Sequence, residues 1–146
     1  MKKVIFTVFL FIISCSSAEV TIENGIDLFF EDTSFYENSK IALVMNHTSK
    51  NKDGINLFDL SKKSLNVKAI FSPEHGLFGT YEAGGKVKNS SIDGIPVYSL
   101  YGKNKKPTPA QLEDIDIILF DLQDIGSRYY TYISTLTYVM ESAAEN

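Results

Sequence analysis

The chain is poor in the residues that usually build disulfides, metal sites and membrane spans. Its 146 residues include one cysteine, two histidines, four prolines and no tryptophan. A single cysteine cannot form an intrachain disulfide, and the two histidines stand in neither an HxH nor an HExxH spacing. No hydrophobic run reaches the roughly 20 residues that a membrane-spanning helix needs. We therefore expect no internal disulfide, no metal site and no transmembrane helix.

The charge balance and the glycine pattern argue against two further ligand classes. The chain has 14 basic and 18 acidic residues, a formal net charge of −4, and this mild acidity disfavours nucleic acid as a partner. The glycines of residues 76–85 do not spell the GxGxxG fingerprint, and no P-loop occurs. We expect no nucleotide cofactor, and we expect these glycines to let the backbone approach a bulky ligand.

The first residues are typical of an export signal. Residues 1–3 are basic at two positions, and residues 4–13 are apolar apart from one threonine, which is the length of a signal-peptide core. The order Ile-Ile-Ser before Cys15 resembles a bacterial lipobox, whose cysteine is lipidated. The alternative is an ordinary signal peptide with an incidental cysteine. We expect a signal peptide at 1–14, a tether at 15–24, and an exported bacterial lipoprotein, periplasmic or at the cell surface, anchored to the membrane.

The remaining pattern alternates apolar runs with amphipathic segments. It predicts strands at 41–45, 65–71, 95–100 and 115–120, helices at 26–35, 53–63, from 109 and at 131–145, and a loop over 76–91. The last helix is expected to bury one apolar face, made of Ile133, Leu136, Val139, Met140 and Ala143. Such alternation is typical of an α/β fold with a mainly parallel sheet flanked by helices, here one domain over 25–146.

Two of the predicted strands end in ionisable residues. Glu74 and His75 follow one strand, and Asp121, Asp124 and Arg128 follow another. In open α/β sheets this edge is where ligands bind, so we expect a shared cleft. Burial there would raise the pKa of Glu74 and suit it for general acid catalysis. The structural alternative is a capping or ion-paired glutamate in a turn.

The other candidates at these strand ends also have structural alternatives. Arg128 can hold a carboxylate or phosphate, or it can pair with a neighbouring aspartate. Gln123 suits the hydroxyl of a sugar, whereas Asn46 can face the cleft or cap a loop. Tyrosines such as Tyr129 can stack on sugar rings or fill the core.

Four ordered motifs carry a resemblance to a known family. They are Asn46–Ser49, Ser72–Gly79, Val97–Gly102 and Asp121–Tyr132. In these motifs the chain resembles the NamZ-type exo-β-N-acetylmuramidases from about residue 25 to its end. The resemblance implies a Rossmann-like N-terminal domain, a smaller C-terminal domain and a cleft between them. It also implies release of terminal β-linked N-acetylmuramic acid from peptidoglycan fragments during cell-wall recycling.

The resemblance further assigns roles to single residues. Glu74 is the implied catalytic residue, expected to protonate the glycosidic oxygen, and the implied pocket residues are Asn46, His75, Gln123, Asp124 and Arg128. We expect Glu74, His75 and Asp124 in catalysis, with Asp124 or the acetamido group of the substrate stabilising the transition state. Substrate binding is expected from Asn46, Gln123, Arg128 and Tyr129, with Arg128 on the lactyl carboxylate.

The chain departs from the family in two places. The family usually has glutamine at the position of His47, and it continues past the last residue of this chain into a second domain. We therefore expect a truncated N-terminal catalytic domain whose C-terminal partner domain is missing. The alternatives to an enzyme are a lipid-anchored protein that binds sugar or peptidoglycan without turnover, and an inactive fragment.

Overall fold

A computed structural model describes residues 22–82, 84–85 and 87–146. In chain order, the elements of this part are α1 Gly25–Phe29, a short 3₁₀ helix Ser34–Tyr36, β1 Lys40–Met45, α2 Leu57–Ser64, β2 Asn66–Ser72, β3 Ser90–Ile92, β4 Ile95–Ser99, α3 Pro109–Leu112, β5 Ile117–Asp121 and α4 Tyr132–Glu145. The predicted signal peptide and Cys15 lie outside the described residues. No helix in the described part is both long and apolar enough to cross a membrane.

The strands form one mostly parallel sheet in the order β3-β4-β2-β1-β5. Strand β1 is parallel to β2 and β5, β2 is parallel to β4, and β3 is antiparallel to β4. Strand β3 falls at the end of the segment predicted as loop. The two-residue turn Asp93-Gly94 joins β3 to β4, with φ values of 49° and 81°. Turns of this kind favour a hairpin, so the turn rather than apolar alternation specifies β3.

Apolar side chains fill both faces of the sheet, which confirms the predicted α/β architecture. Ile41, Leu43 and Met45 of β1 pack on one face with residues of α1 and α2. Ala42 and Val44 pack on the other face with residues of α3 and α4. A central parallel strand covered on both faces reads as a continuous apolar run, because neither set of alternating side chains reaches water.

Two predicted helices are shorter than expected. Helix α2 begins at Leu57 rather than at residue 53, because the Asn56 side chain caps it by accepting the Asp59 amide at 2.9 Å. The preceding residues form a turn in which Asn51 Oδ1 accepts the Ile55 amide at 2.8 Å. Helix α1 ends at Phe29. Asparagine side chains compete for backbone amides in this way and shift helix starts along the chain.

The buried face of α4 differs from the prediction. The buried residues are Tyr132, Thr135, Val139 and Ser142, whereas Ile133 and Met140 are 62% and 63% exposed. Polar contacts set this orientation: the Ser142 hydroxyl donates to the Pro107 carbonyl at 2.8 Å, and the Tyr132 hydroxyl accepts from Asn46. The prediction was right for Val139 and wrong for Ile133, Met140 and Ala143, which are exposed. Buried hydrogen bonds therefore contribute to the rotation of the helix beside the apolar packing of Val139.

Candidate active site

A cleft lies at the sheet edge where β1, β2 and β5 end. Its volume is about 490 Å³, within the range of small-molecule sites, and we call it the Glu74 cleft. Its lining consists of His47, Thr48, Glu74, His75, Gln123, Ile125, Tyr129, Tyr130, Thr131 and Tyr132. A cleft is therefore present at the expected edge, and four of the predicted site residues line it: Glu74, His75, Gln123 and Tyr129. The expectation that Asp121, Asp124 and Arg128 share it was wrong, because none of them is in its lining.

The segment after β2 bends sharply around Glu74. His75 has φ 70°, a left-handed conformation that is uncommon for a residue other than glycine, and Gly76 and Gly79 follow at 74° and 68°. A Cβ added at Gly79 would overlap the imidazole of His47, so this glycine allows the backbone to pack against the ring. A strained backbone that directs two ionisable side chains into a cleft is typical of functional sites.

Hydrogen bonds hold both carboxylate oxygens of Glu74. The Gly84 amide donates to Oε1 at 3.2 Å, and the Thr131 hydroxyl donates to Oε2 at 3.1 Å. Burial raises the pKa of Glu74, but these two donors, the Tyr101 hydroxyl and the neighbouring His75 together hold the pKa below its ordinary value. The expected upward shift was wrong for this arrangement, because donors that stabilise the charged form outweigh partial burial.

The hydrogen bond of His75 fixes the role of one ring nitrogen. Its Nδ1 lies 2.8 Å from the carbonyl oxygen of Tyr81. A carbonyl oxygen only accepts, so Nδ1 carries a proton and donates it. This leaves Nε2 for other partners, and since His75 lines the Glu74 cleft, its ring can form a hydrogen bond with a ligand there.

Asn46 is buried behind the cleft and does not line it. It is 0% exposed, and its amide nitrogen donates to the Tyr132 hydroxyl at 3.0 Å. Its Oδ1 accepts from the amide and the hydroxyl of Thr48, at 2.8 and 2.6 Å. This geometry supports the loop-capping alternative for Asn46. In addition, Asn46 connects the end of β1 to Tyr132 through a hydrogen bond.

Asp124 and Arg128 line a second hollow, also of about 490 Å³. Apolar side chains dominate this hollow, among them Phe120, Leu122, Ile133 and Leu136. The Asp124 carboxylate accepts a hydrogen bond from the Gly126 amide at 2.7 Å, which closes a local turn. The salt bridges of the described residues do not include Arg128. Tyr132 lines both hollows, so they are neighbours that share this side chain, and Glu74 lines only the first of them.

Sequence reasoning missed two contacts of Glu74 at this edge. The sequence held one local indication of the Thr131 contact with Glu74: threonine is a residue type that often caps a helix, and it stands at the start of a predicted helix. The Tyr101 contact had none, because it depends on the position of β4 beside β2. Asp121 was a candidate, but it lines neither hollow, and burial raises its pKa. Within the described ranges, no group of three or more His, Cys, Asp or Glu residues is placed to hold a metal ion.

Comparison with known proteins adds an independent observation. Residues 41–146 match the family described as "Exo-beta-N-acetylmuramidase NamZ, N-terminal". Over 131 residues the chain is 44% identical to the peptidoglycan beta-N-acetylmuramidase NamZ of Bacillus subtilis (strain 168), an alignment that covers 86% of this chain and 31% of the relative.

Two crystal structures of DUF1343 family proteins from Bacteroides fragilis NCTC 9343 are also similar. The match to one of them has a TM-score of 0.75 at 42% identity and covers 85% of this chain and 32% of the crystallised chain. The match to the other has a TM-score of 0.65 at 34% identity and covers 83% of this chain and 31% of the crystallised chain. The chain thus spans about a third of the length of the relatives it matches. Since the family match includes all four motifs and every residue of the Glu74 cleft, the chain belongs to the NamZ family and corresponds to its N-terminal part.

Proposed function

We propose that this chain carries the catalytic acid of a glycoside hydrolase that releases terminal β-linked N-acetylmuramic acid from peptidoglycan fragments in cell-wall recycling. The observation that carries the proposal is the position of Glu74, a half-buried carboxyl on the wall of a cleft lined by imidazoles, hydroxyls and tyrosine rings. Tyrosine rings stack on sugars and their hydroxyls bind them. The Bacillus subtilis relative is a peptidoglycan muramidase, which supports the same substrate class.

In the proposed reaction, Glu74 protonates the leaving glycosidic oxygen as the bond to the anomeric carbon breaks. Water then adds to that carbon, and the proton that this water loses restores the acid. The developing positive charge needs a second nucleophilic or basic group. Glu74 is the one carboxyl in the cleft lining formed by the described residues, and Asp124 lines the neighbouring hollow. This arrangement favours the acetamido group of the substrate as that second group. Its carbonyl oxygen would bond to the anomeric carbon as the glycosidic bond breaks, and that new bond would break when water adds.

Recognition would then be divided between the two hollows. In the Glu74 cleft, Gln123 and the Nε2 of His75 would bind sugar hydroxyls, and Tyr129, which is 95% exposed, would close over a ring. Arg128 would bind the lactyl carboxylate only if that group extends past Tyr132 into the second hollow.

Product analysis tests the function. The native protein that carries this chain is incubated with saccharides that end in N-acetylmuramic acid, and we expect mass spectrometry to detect the free monosaccharide. Saccharides that end in N-acetylglucosamine are the control and should remain intact. Binding of the muramic saccharide without release would instead support the binding-protein alternative, and neither binding nor release would contradict both.

We also propose that Cys15 carries a lipid that anchors the exported protein to the membrane. The support is the Ile-Ile-Ser-Cys order after a short apolar segment. In bacteria grown with a labelled fatty acid, the label should appear in the protein and be lost in Cys15→Ala. Equal labelling of both forms would contradict lipidation at this position.

A further inference from the structure

Contacts that finish on Glu74 join the ends of two strands to the start of a helix. Asn46, directly after β1, donates to the hydroxyl of Tyr132 at 3.0 Å. Tyr132 opens α4, and the residue before it, Thr131, donates its hydroxyl to Glu74 Oε2 at 3.1 Å. Glu74 itself follows β2. Because β1 lies between β2 and β5, these contacts connect β1 to the segments that follow its two neighbouring strands.

The Thr131 hydroxyl is used in an unusual way. Threonine at the N-cap of a helix usually accepts a backbone amide of the first turn. Thr131 is the N-cap of α4, yet its side chain makes no capping hydrogen bond. Its backbone angles, φ −92° and ψ −2°, are helical rather than extended, so its side chain is not placed to cap the helix. Its hydroxyl donates to Glu74 instead.

Asn46 holds the start of the helix in place. It is 0% exposed, so it cannot touch a substrate, and its hydrogen bonds go to Tyr132 and Thr48. Tyr132 is itself 8% exposed, and burial raises its pKa, which keeps its hydroxyl protonated. A buried pair of this kind fixes where α4 begins relative to β1. The position of the Thr131 hydroxyl depends on that starting point.

We infer that Thr131 is a positioning residue that orients the carboxyl of Glu74, and that Asn46 supports it through Tyr132. The inference deepens the proposed function and rests on it, since orientation matters only if Glu74 transfers a proton. Thr131 fixes the direction of Oε2, and the Gly84 amide fixes Oε1 from the opposite loop. A carboxyl held at both oxygens presents one geometry to the glycosidic oxygen.

The test compares Thr131→Val, which removes the hydroxyl at nearly equal volume, with Thr131→Ser, which keeps it. Thr137→Val is the matched control, because the Thr137 hydroxyl lies on the same helix and, among the described residues, bonds only the Ile133 carbonyl, at 3.0 Å. For Thr131→Val, assayed at a pH below the folded pKa of Glu74, we expect kcat to fall about tenfold with little change in KM, because the carboxyl loses a hydrogen bond to the negative charge that it gains as it gives up its proton. Thr131→Ser and Thr137→Val should remain near the parent.

A second readout does not require activity. Carboxyl ¹³C NMR follows the titration of Glu74. We expect the midpoint of this titration to lie at higher pH in Thr131→Val than in the parent, and to equal that of the parent in Thr131→Ser. In Tyr132→Phe, which breaks the Asn46 contact without removing the ring, we expect the midpoint to move to higher pH as well. An unchanged titration in folded Thr131→Val would overturn the inference. A shifted titration in a protein that releases no muramic acid would leave the contact established and contradict the proposed function alone.

Discussion

Glu74→Gln is expected to lower kcat for hydrolysis of a chromogenic N-acetylmuramide by about 10²- to 10⁴-fold, the usual contribution of a general acid. Glutamine keeps the size of the side chain and can still accept the Thr131 hydroxyl, but it has no proton to give to the leaving oxygen. The measurement is the initial rate of chromophore release at saturating substrate. The fold should survive, because Glu74 is half-buried and the salt bridges of the described residues do not include it.

Glu82→Gln provides the control for this substitution. Glu82 is an exposed glutamate in the same loop region and does not line the Glu74 cleft. Its replacement should leave the rate within about twofold, as for surface changes away from a site. Undiminished turnover in Glu74→Gln would remove the carboxyl from the mechanism.

The lowered pKa of Glu74 sets the direction of two pH effects. Its ionised form is favoured in the folded state, so it contributes stability above its unfolded pKa, and this contribution is lost as pH falls through the lower folded pKa. The proposed reaction needs the protonated form. We therefore expect kcat/KM to decrease as pH rises above the folded pKa of Glu74. A profile that instead rises from acid to neutral pH would show that the ionised carboxylate is the active form.

Phe71→Ala is expected to destabilise the protein by about 3–5 kcal/mol, the usual cost of removing a buried aromatic ring. Phe71 is 0% exposed, and its ring lies against that of Tyr98 with centroids 5.5 Å apart. It also packs in the cluster that holds Val139 of α4 against the sheet. The cavity left by alanine cannot be filled by its neighbours on a central strand. Urea unfolding at neutral pH measures the loss of free energy of unfolding.

Phe35→Ala is the matched control for the core substitution. Phe35 is 84% exposed, so its removal should change the free energy of unfolding by no more than about 0.5 kcal/mol. Equal losses for the two variants would contradict the assignment of Phe71 to the core. The Phe71 variant also tests whether the position of α4, and therefore the position of Thr131, depends on packing against this face of the sheet.

Local patterns predicted most of the fold. The continuous apolar run of β1 specified a strand covered on both faces, and Thr108-Pro109 specified the start of α3. Patterns of this kind are readable because neighbouring residues determine them. The rotation of α4 was readable only in part, since two of its buried residues, Tyr132 and Ser142, bond to Asn46 and Pro107, which lie far away along the chain.

The amino-acid sequence alone determined the mainly parallel α/β fold, the family and the placement of Glu74 at a strand end, because periodicity and contiguous motifs carry this information. Only the tertiary structure decided which candidates share the Glu74 cleft. It placed Asp124 and Arg128 in the neighbouring hollow, and it buried Asn46. It also reversed the expected pKa shift of Glu74, because the donors Gly84, Tyr101 and Thr131 come from separate loops that meet only when the strands are aligned.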